Sequence, residues 1–166
     1  MIPYQNGQLV NFRGNDGQLI QTRVEVEEKI EACTTCQPNE KRQVIDVTLR
    51  NLANVDYTKV ATMEIIDRAE NYVFMTIWSP VANFFSGHGV DFKTVNKTSK
   101  FFADNERYIL HQSIILGSKT YIHVLEIRFN PWEQTNSFDL EKLYYSKEAG
   151  IIQFAYNNGK SYQVVE

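Results

Sequence analysis

Apolar and polar residues alternate with a period of two through most of this chain, and no stretch carries the 3.6-residue apolar stripe of an amphipathic helix. Between Gln18 and Glu27, residues Ile20, Thr22, Val24 and Val26 fall on one side, and Gln21, Arg23, Glu25 and Glu27 on the other. Side chains of a strand point alternately to its two faces, so this is the pattern of a half-buried strand. Gln43–Leu49 repeats it, with Ile45, Val47 and Leu49 inward. Asn71–Trp78 is apolar on both faces, which predicts a central strand covered on each side. Further strands are predicted at Leu9–Arg13, Lys59–Asp67, Arg107–Leu116, Thr120–Phe129, Lys142–Ser146, Ile151–Tyr156 and Ser161–Val165.

Turn residues agree with that count. Asn15-Asp16-Gly17 and Asn157-Asn158-Gly159 are hairpin signals, because Asn and Gly accept the positive φ that tight turns need. Gly117-Ser118 suits a two-residue turn with Gly first. The expected fold is all-β: an antiparallel sandwich or open barrel of about ten short strands with little helix. Only Glu27–Ala32 admits a helical turn. At 166 residues the chain fits one β-rich domain spanning 1–166, large enough to bury a core without metal or disulfide staples.

Composition narrows the function classes. Seventeen basic against twenty acidic residues leave a net charge of -3, which speaks against nucleic acid as a partner. Met1–Gly7 lacks a basic segment followed by an apolar run, so no targeting segment is expected there. No apolar stretch reaches the length of a membrane helix, and membrane association is expected only through a lipid anchor that this chain does not carry.

The segment Ser79–Asn105 breaks the rhythm. It holds five Phe, two of them paired as Phe84-Phe85 and two as Phe101-Phe102, with Gly87-His88-Gly89 between the pairs and Asp91 just beyond. A short edge strand is expected near Val90–Val95. Long loops in compact domains are usually functional, and exposed aromatics near glycines suit binding surfaces. Phe84, Phe85, His88, Asp91, Phe101 and Phe102 are therefore the expected ligand or partner surface. The competing reading has the five rings capping an open end of the fold.

Other constellations are sparse. Cys33-Thr34-Thr35-Cys36 is read as a disulfide or thiol pair, since no second CxxC or HxxxH completes four zinc ligands. No metal site and no cofactor are expected. If Gly117-Ser118 is a two-residue turn, Leu116 pairs with Lys119 and His111 with Val124, which turns His111 and His123 to opposite faces. His123 shares a strand face with Tyr121, Leu125, Ile127 and Phe129, a core-facing position, and both histidines are read as structural or partly exposed rather than as metal ligands. No GxSxG, SxxK, HExxH or phosphate-cradling glycine run occurs, so no catalytic residue is assigned. Were the chain a hydrolase, Asp91, Glu126 or Glu133 would be its candidate carboxylates.

The opening Ile2-Pro3-Tyr4-Gln5-Asn6-Gly7 through Val10-Asn11-Phe12-Arg13 and Asp16-Gly17 resembles the start of small secreted lipoproteins of Bacteroides-type bacteria. Lys119–Val124, Lys142–Phe154 and Asn158-Gly159-Lys160 resemble their ending, and together these parts cover about a third of the chain. The resemblance implies a β-rich fold and an extracytoplasmic place in the cell envelope, in the periplasm or on the surface. The expected function is thus a non-enzymatic binding or assembly module whose partner is a protein or a small-molecule or glycan ligand. The alternative is an envelope hydrolase acting on polysaccharide with a carboxylate pair.

Overall fold

The computed structural model describes residues 3–32, 41–53, 59–67, 72–78, 85–91, 108–129, 140–146 and 148–165. They form eleven strands: β1 (Leu9–Gly14), β2 (Leu19–Ala32), β3 (Lys41–Asn51), β4 (Lys59–Asp67), β5 (Tyr72–Trp78), β6 (Phe85–Asp91), β7 (Tyr108–Leu116), β8 (Lys119–Arg128), β9 (Leu140–Ser146), β10 (Gly150–Tyr156) and β11 (Ser161–Val165). No helix occurs among the described residues. All eleven strands belong to one open sheet in the order β6-β5-β4-β3-β2-β1-β11-β10-β9-β8-β7. The fold is all-β and antiparallel, as the alternation predicts.

The order is two meanders joined at the chain's ends. Strands β1 to β6 step one way, β11 back to β7 step the other, and β1 pairs antiparallel with β11 through Asn11↔Val165 to Gly14↔Tyr162. Every other neighbouring pair is antiparallel too. Counting directions outward from the β1–β11 seam leaves β6 and β7 running the same way at opposite ends of the order.

Two hairpins are built alike. Gly14 N–H donates to Gln18 O (2.7 Å) and Gly17 N–H to Gly14 O (2.9 Å). Tyr156 and Lys160 repeat the arrangement at 2.8 Å, with Gly159 N–H on Tyr156 O at 3.0 Å. Gly17 (φ 86°) and Gly159 (φ 80°) take the left-handed conformation that ends each three-residue loop. Asn15 stitches the two turns together: its Nδ2 donates to Gly159 O (2.8 Å) and its N–H to Ser161 O (2.9 Å).

One face of the sheet carries the main core. It runs from Val47, Leu49 and Met63 on β3 and β4, through Val10, Phe12, Ile20 and Val24 on β1 and β2, to Phe154, Leu143 and Ile127 beyond the seam. Phe154 is its centre, edge-on to Phe12 (5.4 Å between centroids), stacked on Tyr162 (5.3 Å) and edge-on to Tyr156 (5.9 Å). Such ring pairs add about 0.5–1.5 kcal/mol each beyond the area they bury. Tyr4 closes one border: its hydroxyl accepts a hydrogen bond from Ile151 N–H (2.8 Å), and burial drives its pKa up. Gly150 beside it has φ 73° and lies so close to the Tyr4 ring that no Cβ would fit.

The opposite, outer face has two characters. Across β2 and β3 it is polar and wet. Across β8 to β10 it holds a second apolar cluster of Tyr121, Val124, Tyr144 and Ile152, with Ile114, Leu116, Ala149 and Val164 against it.

Four expectations are corrected. Glu27–Ala32 is strand, not a helical turn, because β2 pairs with β3 through Ala32↔Lys41; long-range pairing overrides the local preference of its Glu, Lys and Ala. Asn71–Trp78 is not central: among the described strands β5 is the penultimate one, with β6 beyond it. The edge strand expected at Val90–Val95 is β6, which starts at Phe85, pairs Trp78↔Phe85 through Tyr72↔Asp91, and tolerates Gly87 and Gly89. His123 is exposed rather than core-facing, because its φ of 51° resets the alternation. Tyr121 consequently joins Val124, three residues on, in the second cluster instead of Leu125 and Ile127 in the first.

Candidate functional site

The β7–β8 hairpin forms in the register read from the sequence, with Leu116↔Lys119 and His111↔Val124 around Gly117 (φ 63°). That register also sets Ile109 opposite Glu126, which makes His111 and Glu126 diagonal neighbours on the outer face. Tyr144 on β9 lies opposite Glu126 from the other side. Arg128, two residues along β8, returns to the same face.

These four side chains form one polar cluster at the border of the second apolar cluster. Glu126 is buried, its side chain 5% exposed, and both its oxygens are engaged. His111 Nε2 lies 2.8 Å from Oε2, and Arg128 Nε donates to Oε1 at 2.6 Å. Burial pushes the Glu126 carboxyl up, but the bonds from Arg128 and His111 outweigh it and hold the group below the usual glutamate range. Tyr144 is pushed up, first by burial and then by the charge of Glu126 beside it. The His111 ring stands 6.4 Å from the Tyr144 ring.

Chemically, this is a carboxylate fixed in its ionised form. It can orient His111 and favour a proton on Nε2, leaving Nδ1 as the basic ring nitrogen. It is ill suited to donate a proton, which a glycoside-cleaving acid must do with a raised pKa. Glu126 was visible in the sequence as a candidate carboxylate, whereas its partnership with His111 was not. The signal was present: once His111 is set against Val124, residue 126 is the next position on that face.

Of the residues expected to form the ligand surface, Phe85, His88 and Asp91 lie on β6, opposite Trp78, Met75 and Tyr72. Their side chains, together with Phe84, Phe101, Phe102, Cys33, Cys36 and Glu133, lie outside the described residues. Asp91 and Glu126 stand on strands near opposite ends of the sheet order. Among the described residues, no group of three or more His, Cys, Asp or Glu side chains is placed to hold a metal ion.

A different surface feature stands out on the same hairpin. Ser113 and Ile115 share a face with Thr120 and Ile122 through the register Ser113↔Ile122 and Ile115↔Thr120. Ile115 is 70% exposed and Ile122 56%. Leu110, further along β7, is 41% exposed. Strand β7 reads YILHQSIIL and contains no Lys, Arg, Asp, Glu or Pro. Compared with known protein families, curated proteins and solved structures, the chain finds no match.

Proposed function

We propose that this chain is a non-enzymatic assembly module of the cell envelope, joining to another copy of itself through the edge of β7. The observation that supports this is the self-complementary sequence of an uncharged edge strand. Sheet edges are normally guarded by charges, proline or bulges, because bare N–H and C=O groups recruit other strands. Strand β7 has none of the charges or proline. Laid antiparallel on its own copy about Gln112, it sets Ile109 against Ile115, Leu110 against Ile114 and His111 against Ser113. Apolar residues then meet apolar ones, no like charges are opposed, and the two-fold arrangement closes on itself. The envelope setting rests on the resemblance of the chain's opening and ending to secreted lipoproteins.

The hydrolase alternative has less behind it, since Glu126 is held ionised with both oxygens engaged.

The test is oligomeric state by sedimentation equilibrium. Wild type should dimerise with rising concentration, and Gln112→Lys, which opposes two ammonium groups at the two-fold axis, should be monomeric with an unchanged melting temperature. A wild type that stays monomeric at millimolar concentration, or a Gln112→Lys variant that still dimerises, rejects the reading.

A further inference from the structure

A concavity of about 720 Å³ opens on the outer face at the seam of the two meanders. Its floor is β1, β10 and β11, represented by Arg13, Gln153, Gln163 and Val165, and its wall is the β7–β8 turn with Ser118 and Lys119. The volume lies within the range of small-molecule sites. This site does not depend on the assembly reading.

Two observations define what it would hold. First, the lining carries two cations, Arg13 and Lys119, and no Asp or Glu, although the whole chain is net negative. Lys119 stands over the Tyr121 ring, 5.7 Å from its centroid, while among the described residues Arg13 has no carboxylate partner. A guanidinium without a partner favours a carboxylate, whose two oxygens match its planar fork. Second, the remaining polar groups are neutral amides and hydroxyls: Gln153, Gln163, Ser118 and Ser161. Gln163 Nε2 donates to Leu116 O at 2.8 Å, which fixes its amide between floor and wall.

We infer that this concavity binds a small hydroxylated carboxylate, of the class of the sugar acids, with its carboxylate on Arg13 and its hydroxyls on the surrounding amides. Net positive lining selects the anion, and the neutral amides select a ligand with several hydroxyl groups over a bare ion.

The test is titration calorimetry of the purified full chain with sodium glucuronate, glucose, acetate and inorganic phosphate. Glucuronate should saturate one site, with glucose, acetate and phosphate each binding at least tenfold more weakly. Arg13→Gln should weaken glucuronate at least tenfold, with thermal unfolding unchanged because Arg13 is exposed. Absence of saturable glucuronate binding overturns the inference, as does equal affinity for phosphate, which would mark a general anion site. Equal affinity for glucose, or an Arg13→Gln variant that binds as wild type, overturns the role of the carboxylate and with it the proposal.

Discussion

The outer face of the sheet behaves differently on its two sides, although the same chain and the same strand geometry build both. Across β2 and β3 it is a ladder of ion pairs in water. Arg50 grips Glu25 with two parallel hydrogen bonds, Nε at 2.8 Å and Nη2 at 2.7 Å, and Lys29 holds Asp46 at 2.6 Å. Across β8 to β10 the equivalent face is apolar and closed, with Val124 and Ile152 fully buried. Here the acid Glu126 is itself buried between His111 and Arg128. A charge in the wet ladder is dispensable because water replaces its partner. A charge at the border of the closed cluster depends on its neighbours, because water cannot.

The contrast fixes the expected sizes of three effects. The largest belongs to Ile152: Ile152→Ala should cost about 3 kcal/mol, since a buried Ile truncated to Ala forfeits its burial and leaves a cavity. Thr48→Ala, at an outer position of β3, should change stability by less than about 0.5 kcal/mol. Urea denaturation of both variants compares the two sides directly, and equal costs would mean that the second cluster is not a core.

Glu126 comes next. Glu126→Gln should lose about 2 kcal/mol, because the charge-assisted bonds to Arg128 and His111 are weakened in a buried setting. The pH dependence has a definite sign. The folded-state carboxyl lies below its ordinary value, so its stabilisation is complete above the unfolded pKa of about 4.3 and is lost as pH falls through the lower folded value. Wild type should therefore lose more stability than Glu126→Gln between pH 5 and pH 2. Parallel acid-denaturation curves would show that the carboxylate is not held as described.

The smallest effect is expected in the ladder. Arg50→Ala should cost no more than about 0.5 kcal/mol, and 1 M salt should shrink that difference further by screening an exposed pair. The side chains of Arg50 and Glu25 are 39% and 49% exposed, which is why so regular a geometry contributes so little. A salt-insensitive loss above about 1.5 kcal/mol would place this face among the closed ones.

The same division governs how much of the fold was legible from the residues. Strands β2 and β3 have one wet face, so Val24, Val47 and Leu49 alternate with Glu25, Asp46 and Thr48 and give away both strand and orientation. Strands β9 and β10 are buried on both faces, so the run from Leu143 to Tyr145 and from Ile151 to Phe154 marks a strand without marking its faces. A bulge between Ile151 and Gln153 moves the register as well, and no residue type announces it. His123 is a similar case: a left-handed residue inside a strand reverses the side for everything beyond it, although its side chain looks fit for the core.

Local chemistry alone determined the all-β class, the turns at Gly17, Gly117 and Gly159, and the pairing of His111 with Val124. Each depends on residues near one another in sequence, on the pleat and on the positive φ that glycine permits. Tertiary structure alone decided that β1 meets β11, that β5 lies next to an edge, and that Glu126 is enclosed by His111, Arg128 and Tyr144. These depend on which strands meet across long stretches of chain. Many pairings satisfy the same alternation, and only the joint burial of Phe12, Phe154 and Tyr162 across the seam selects among them.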